Sequence, residues 1–161
     1  MEDTRWLTPQ EQQAWRSYLT VVRLVQEDVE AQLGRDADIP HAYYEILVML
    51  SEAPGRRLRM RDLAEASLSS KSRLSHAVAR LQERGWVRRV PSPCDRRSQI
   101  CELTDEGFTA LAGAAPGHVA QVRASFIDAL SPEQLDALDG IACAVARHLG
   151  REPRVVGRPP T

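Results

Sequence analysis

A mainly α-helical fold with one small β-hairpin is what this sequence predicts, and three observations predict it. Apolar residues recur at intervals of three and four along most of the chain, the spacing of one face of a helix. β-forming residues cluster in Trp86-Val87-Arg88-Arg89-Val90 and again from Ser98 to Leu103, around the turn-forming run Pro91-Ser92-Pro93-Cys94-Asp95. Helix starts are marked by two capping boxes with proline at the first helical position, Thr8-Pro9-Gln10-Glu11 and Ser131-Pro132-Glu133-Gln134.

The first helix begins after Thr8. Trp15, Tyr18, Leu19, Val22, Val25, Val29 and Leu33 make an apolar stripe over about five turns, and Gly34 with the polar run from Arg35 to Asp38 ends it. A stripe of that length exceeds what one small lobe covers and reads as a subunit interface. Pro40 begins a second helix through Tyr43, Ile46, Leu47 and Leu50, broken by Ala53-Pro54-Gly55. A short third helix, Met60 to Ala66, buries Leu63 and Ala64 and leads by a tight turn into a fourth.

The fourth helix has two unlike faces. Leu74, Ala77, Val78 and Leu81 share one side; Ser69, Ser72, Arg73, His76, Ala79 and Arg80 fall on the other. Ser69 or Ser70 caps its start, and Gly85 stands where a helix stops. Short, polar and cationic side chains on an outer face suit close approach to base edges in a major groove. The hairpin that follows carries Arg96 and Arg97 at its tip, a chemistry suited to a narrow, electronegative minor groove. Helix, turn, reading helix and hairpin together make a winged helix-turn-helix.

The last third is helical again. Thr104 caps a helix opening on Asp105-Glu106, with acids at the positive end of the dipole. Pro116, between Gly113 and Gly117, is expected to kink or interrupt it near Ala112, after which it resumes through Val119, Val122, Phe126 and Leu130. A final helix runs through Leu135, Leu138, Ile141, Val145 and Leu149. The predicted organisation is a helical dimerisation region from residues 1–35 and 105–149, a winged helix-turn-helix over 36–104, and a loose tail over 150–161. Trp15, Leu19, Val22, Leu135, Leu138, Ile141 and Val145 are the candidate dimer contacts.

Charge supports a polyanionic partner. Residues 56–97 hold 12 basic and 4 acidic side chains, a balance of +8; residues 1–55 stand at −6 and 98–161 at −3 within a chain of net charge −1. A basic middle between acidic ends is the footprint of a local nucleic-acid surface. Candidate DNA contacts are Ser69, Ser70, Lys71, Ser72, Arg73, Ser75, His76 and Arg80 on the reading helix, and Arg88, Arg89, Asp95, Arg96 and Arg97 on the hairpin. No apolar run is long enough to span a membrane, Met1-Glu2-Asp3-Thr4-Arg5 has no apolar signal segment, and three scattered cysteines suit a reducing compartment. A cytoplasmic location is therefore expected.

The chain resembles the multiple-antibiotic-resistance regulator (MarR) family of bacterial transcription regulators. The likeness is carried by Arg59-Met60-Arg61-Asp62-Leu63-Ala64-Glu65, by Ser72-Arg73-Leu74 and Leu81-Gln82-Glu83-Arg84-Gly85-Trp86-Val87-Arg88-Arg89, and by Asp95-Arg96-Arg97-Ser98 closing on Leu103-Thr104-Asp105-Glu106-Gly107. It extends from about residue 8 to 149. The resemblance implies a homodimeric repressor built on the first and last helices, each subunit presenting its winged helix to half of a pseudo-palindromic operator, with half-sites ~10 bp apart. It also implies that Arg97 reads the minor groove and that Asp95 braces a neighbouring arginine.

Such regulators often respond to a small phenolic or anionic effector held between dimer arms and DNA-binding lobe. Candidates are Trp15, Arg16 and Tyr18 on the first helix and His41, Tyr43 and Tyr44 on the second, where arginine beside aromatics would hold an aromatic carboxylate; hydrophobic packing is the plainer role for these aromatics. Others sense oxidants through cysteine, and Cys94 beside Arg96 and Arg97 is the candidate thiol. Four scattered histidines make no metal-ligand spacing, and no cofactor is expected. No nucleophile elbow, phosphate loop or zinc motif suggests an enzyme. A winged helix used for protein–protein assembly is the rival class. It would show an apolar outer face where this chain has Ser72, Arg73 and His76.

Overall fold

A computed structural model describes residues 4–93 and 98–150. The hairpin-tip candidates Cys94, Asp95, Arg96 and Arg97, and the tail from residue 151, lie outside the described residues. Among the described residues six α-helices and three short strands follow in the order α1 (Pro9–Ala37), α2 (His41–Glu52), β1 (Arg57–Arg59), α3 (Met60–Ala66), α4 (Lys71–Glu83), β2 (Val87–Pro91), β3 (Gln99–Leu103), α5 (Asp105–Ser125) and α6 (Pro132–His148).

Both expected capping boxes form. The Thr8 hydroxyl accepts from the Glu11 N–H at 3.3 Å while the Glu11 carboxylate accepts from the Thr8 N–H at 2.7 Å, and Ser131 with Gln134 repeats the arrangement on α6. Helix α1 passes Gly34 and ends within the polar run that follows it, where Asp38 takes a left-handed conformation (φ 51°) and its N–H bonds the Leu33 carbonyl.

The strands form one antiparallel sheet in the order β1-β3-β2. Strand β1 was not expected: three residues of alternating Arg-Leu-Arg are too short to show a period. Only pairing with β3, which sets Leu58 opposite Cys101, makes them a strand. Leu58, Cys101 and Arg89 share one register row, and Arg57, Glu102 and Arg88 share the next, on the opposite face.

Leu47 and Leu50 of α2, Leu63 of α3, and Leu74 and Leu81 of α4 are fully buried beside Val87 and Cys101 of the sheet. Each such leucine contributes roughly 1.5–3 kcal/mol of transfer free energy, so the lobe carrying α4 has its own core. The α1 stripe is divided. Val29 and Leu33 are buried in that core, whereas Trp15 and Tyr18 are 54% and 59% exposed and Leu19 and Val22 half-buried. The expectation that the whole stripe is a subunit interface therefore fails for its C-terminal half, which covers the chain's own lobe.

Of the kink or interruption expected at Pro116, the interruption does not occur. Helix α5 runs unbroken from Asp105 to Ser125 with Pro116 inside it. Packing along α1 holds the helix from the proline onward. Gly117 lies so close to α1 that an added Cβ would sit 2.9 Å from the Gln32 amide nitrogen, and Ser125 donates to Asp28 at 2.9 Å. The helix does not extend through Phe126 and Leu130. Phe126 leaves the helical region at φ −143°, and Ile127–Ala129 make a single 3₁₀ turn.

Among the described residues, helix α6 has no buried side chain and packs extensively against no other element.

Candidate nucleic-acid interface

The turn before α4 is set by backbone bonds: the Ser67 N–H reaches the Leu63 carbonyl at 2.9 Å and the Ser69 N–H the Ala64 carbonyl at 3.1 Å, with Leu68 in the left-handed region between them. Ser70 is the cap, and its hydroxyl accepts from the Arg73 N–H at 3.2 Å. Ser69, the other candidate, is half-buried and donates to the Ser67 carbonyl.

From there the periodicity divides α4 as expected. Leu74, Ala77, Val78 and Leu81 are buried, and Lys71, Ser72, Arg73, Ser75 and His76 are exposed. Among the described residues neither Lys71 nor Arg73 enters a salt bridge, so the first turn and a half of the helix offers two free cations. Arg80 differs, because its guanidinium is bonded to Glu83 at 2.8 Å one turn along.

Arg88 and Arg89, the hairpin arginines among the described residues, are engaged within the chain. Arg88 points away from the core, and its Nε donates to Glu102 at 2.7 Å, with Arg57 on the other side of that carboxylate at 4.0 Å. Arg89 points toward α4, and its Nη2 donates to the Ser75 carbonyl at 2.6 Å.

Several further residues hold this arrangement through long-range contacts that the sequence does not signal. Arg84 at the end of α4 donates to the Asp38 carbonyl at 2.8 Å and carboxylate at 2.9 Å, and lies 4.9 Å over the Trp86 ring. Arg56 stacks 3.9 Å over Phe108 and pairs with Asp105 at 3.2 Å. Thr104 caps α5 through the Gly107 N–H and donates its own hydroxyl to the Gly85 carbonyl at 2.7 Å. Gly107 is where α5 crosses the start of β2, with the Trp86 carbonyl in the space a Cβ would need. The spacing Leu103-Thr104-Asp105-Glu106-Gly107 is thus a joint between hairpin and arm.

The effector candidates do not converge. Trp15 and Tyr18 stack on each other at 5.8 Å on the exposed part of α1. Tyr44 is buried, its ring centroid 4.3 Å from that of His118 on α5, and His41 stacks on the same imidazole at 5.8 Å. Burial, aided by His41, holds the His118 pKa below the usual histidine range. Tyr43 faces another way, into a shallow cleft with Pro40, Arg80 and Arg84. Of the thiols, Cys101 is fully buried and its pKa is pushed up to about 12 by burial, which leaves it protonated and unreactive. Cys143 is half-buried on α6.

This geometry has close counterparts among known proteins. Sco3205, a MarR family transcriptional regulator from Streptomyces coelicolor determined in complex with DNA, is 50% identical over 92% of this chain and 96% of its own, with a TM-score of 0.86. The chain belongs to the MarR family. AbsC, another MarR family regulator from Streptomyces coelicolor, is 46% identical over 91% of this chain and 99% of its own, again with a TM-score of 0.86. The profile described as MarR family matches residues 37–98, the span from the end of α1 to the start of the second hairpin strand. Curated relatives include the Escherichia coli transcriptional regulator HosA, 35% identical, and the Dickeya dadantii regulator PecS, 33% identical. The matches cover 49% and 54% of this chain and 57% and 52% of those proteins, so the chain spans little more than half the length of these relatives. All are transcriptional regulators, in keeping with the expectation that this MarR-family chain is not an enzyme. No helix among the described residues is long and apolar enough to cross a membrane.

Proposed function

We propose that this MarR-family protein is a sequence-specific double-stranded DNA-binding regulator that acts as a homodimer. The observation that carries the proposal is the outer face of α4. Lys71, Ser72, Arg73, Ser75 and His76 stand exposed together at the N-terminal end of a helix whose other face is locked into the core. Those side chains are short or cationic, and none is apolar, which is the surface a major groove accepts and a protein-docking helix avoids. Sco3205, similar to this chain over nearly its whole length, has been determined bound to DNA.

Dimerisation follows from what each chain leaves uncovered. Ile141, Val145 and Leu138 of α6 are 62%, 53% and 38% exposed, and Trp15 and Tyr18 of α1 more than half exposed. A 17-residue helix with no buried side chain lacks the tertiary packing that most helical stability requires, and a second copy supplies it. Two such subunits would present their α4 helices to half-sites about one helical turn, ~10 bp, apart.

The test is a titration of labelled DNA from upstream of the protein's own gene against scrambled DNA, repeated across salt. The expected outcome is dimer binding at ~10⁻⁸ M or tighter to one palindromic segment, with affinity falling steeply as salt rises. Arg73→Ala should cost ~1–3 kcal/mol on the preferred segment and relax the base preference there. Equal binding to scrambled DNA, or weak binding indifferent to salt, would remove the proposal and favour a protein-docking role for the winged helix.

A further inference from the structure

We propose that Arg89 is a positioning residue, a strut that sets the angle between hairpin and reading helix and does not itself touch DNA. The inference rests on the DNA-reading role of α4 proposed above and on the minor-groove role the sequence leads one to expect of the hairpin. Its first support is register. Arg89 lies opposite Cys101, and Cys101 is fully buried, so Arg89 leaves β2 on the sheet face turned toward the core. Arg88, opposite Glu102, leaves on the other face and its side chain is 70% exposed.

The second support is the bond it makes. The Arg89 Nη2 donates to the Ser75 carbonyl at 2.6 Å, a charge-assisted bond to the backbone of α4. Ser75 sits beside His76 and one turn from Ser72, in the middle of the outward face. A backbone carbonyl has a second lone pair, so the bond adds to the helix without replacing one of its own. The guanidinium therefore ties the outer part of the hairpin to the section of helix that would enter the groove.

The third support is mechanical. The last fully buried side chain on β2 is Val87, and the strand continues to Pro91. Four residues of strand reach ~13 Å beyond that anchor. A 10° change in hairpin angle would move the outer end by ~2 Å, enough to separate a side chain from a groove wall at hydrogen-bonding range. Arg89 is placed two residues along this lever, where one bond removes that freedom. A methionine there would keep the length and the apolar stem while removing the donor.

The experiment compares wild type, Arg89→Met and Arg89→Lys on two duplexes: the full segment protected by the wild-type protein, and the same segment trimmed to the bases under α4. Hydroxyl-radical footprints and thermal unfolding are recorded in parallel. The proposal expects Arg89→Met to bind the full duplex ~10-fold more weakly, to lose the flanking minor-groove protections, and to match wild type on the trimmed duplex. Arg89→Lys, which keeps the charge and one donor, should fall between them on the full duplex. Equal losses on both duplexes with the flanking protections kept would make Arg89 a direct phosphate contact and overturn the proposal, as would no loss on either. A methionine variant that unfolds transfers the decision to Arg89→Lys, whose loss must again be confined to the full duplex. If the wild type itself binds no preferred segment, the DNA-reading role fails, and this inference with it.

Discussion

Replacing Gly107 by alanine probes the joint on which the arrangement of arm and hairpin depends. Gly107 is the third residue of α5, and the space for its Cβ is already filled by backbone. An added methyl would run into the Trp86 carbonyl, with that carbonyl carbon 2.8 Å and the Leu103 Cδ1 2.9 Å away. The carbonyl cannot simply retreat, because it accepts the Thr104 N–H at 3.0 Å while the Thr104 hydroxyl holds the Gly85 carbonyl at 2.7 Å. Forcing a carbon into a packed site costs ~1–3 kcal/mol, and loosening the Thr104–Trp86 bond adds ~1 kcal/mol. Higher helix propensity returns ~1 kcal/mol. Gly107→Ala should therefore lose ~1–3 kcal/mol of stability. Gly34→Ala on α1 is the natural comparison, because no atom lies within 4 Å of its Cβ position; propensity alone should make it ~0.5–1 kcal/mol more stable. Urea unfolding followed by circular dichroism, at one fixed protein concentration, measures both. A Gly107→Ala protein as stable as wild type would refute the reasoning, since the crossing of α5 over Trp86 would then have slack that so close an approach denies it.

Two further expectations concern a buried thiol and the uncovered arm. Folding raises the Cys101 pKa from about 9.0 to about 12, so above pH 9 the unfolded chain releases a proton the native one keeps. Stability should fall by about 1.2 kcal/mol for the step from pH 9.5 to 10.5 and further toward 12, through this group alone; Cys101→Ala should lack that part of the slope, and identical slopes in the two proteins would show the thiol to be solvated. Ile141→Glu puts a charge on the exposed face of α6 and should halve the mass seen by light scattering, or unfold α6 if that helix cannot stand uncovered; an unchanged dimer would move the interface elsewhere.

Much of this protein is legible in its sequence because the governing interactions are local. The capping boxes at Thr8 and Ser131, the separation of Leu74, Ala77, Val78 and Leu81 from Ser72, Arg73 and His76 on α4, and the two main hairpin strands all follow from spacings of two to four residues, and all three appear in the structure. The basic middle of the chain is likewise a property of composition. What needed the folded chain are relations between residues far apart in sequence. Strand β1 exists because β3 offers it a partner. Helix α5 passes Pro116 unbroken while it lies along α1, with Gly117 against Gln32 and Ser125 bonded to Asp28. The α1 stripe divides at Val25 because α2 and α5 cover only its later half, and an apolar period is the same whichever surface covers it. The two arginines side by side on β2 look alike in sequence, yet pleating sends Arg88 to Glu102 and Arg89 to the Ser75 carbonyl of the reading helix. A period of two specifies that neighbours face opposite ways; which way each faces is decided by where the core lies.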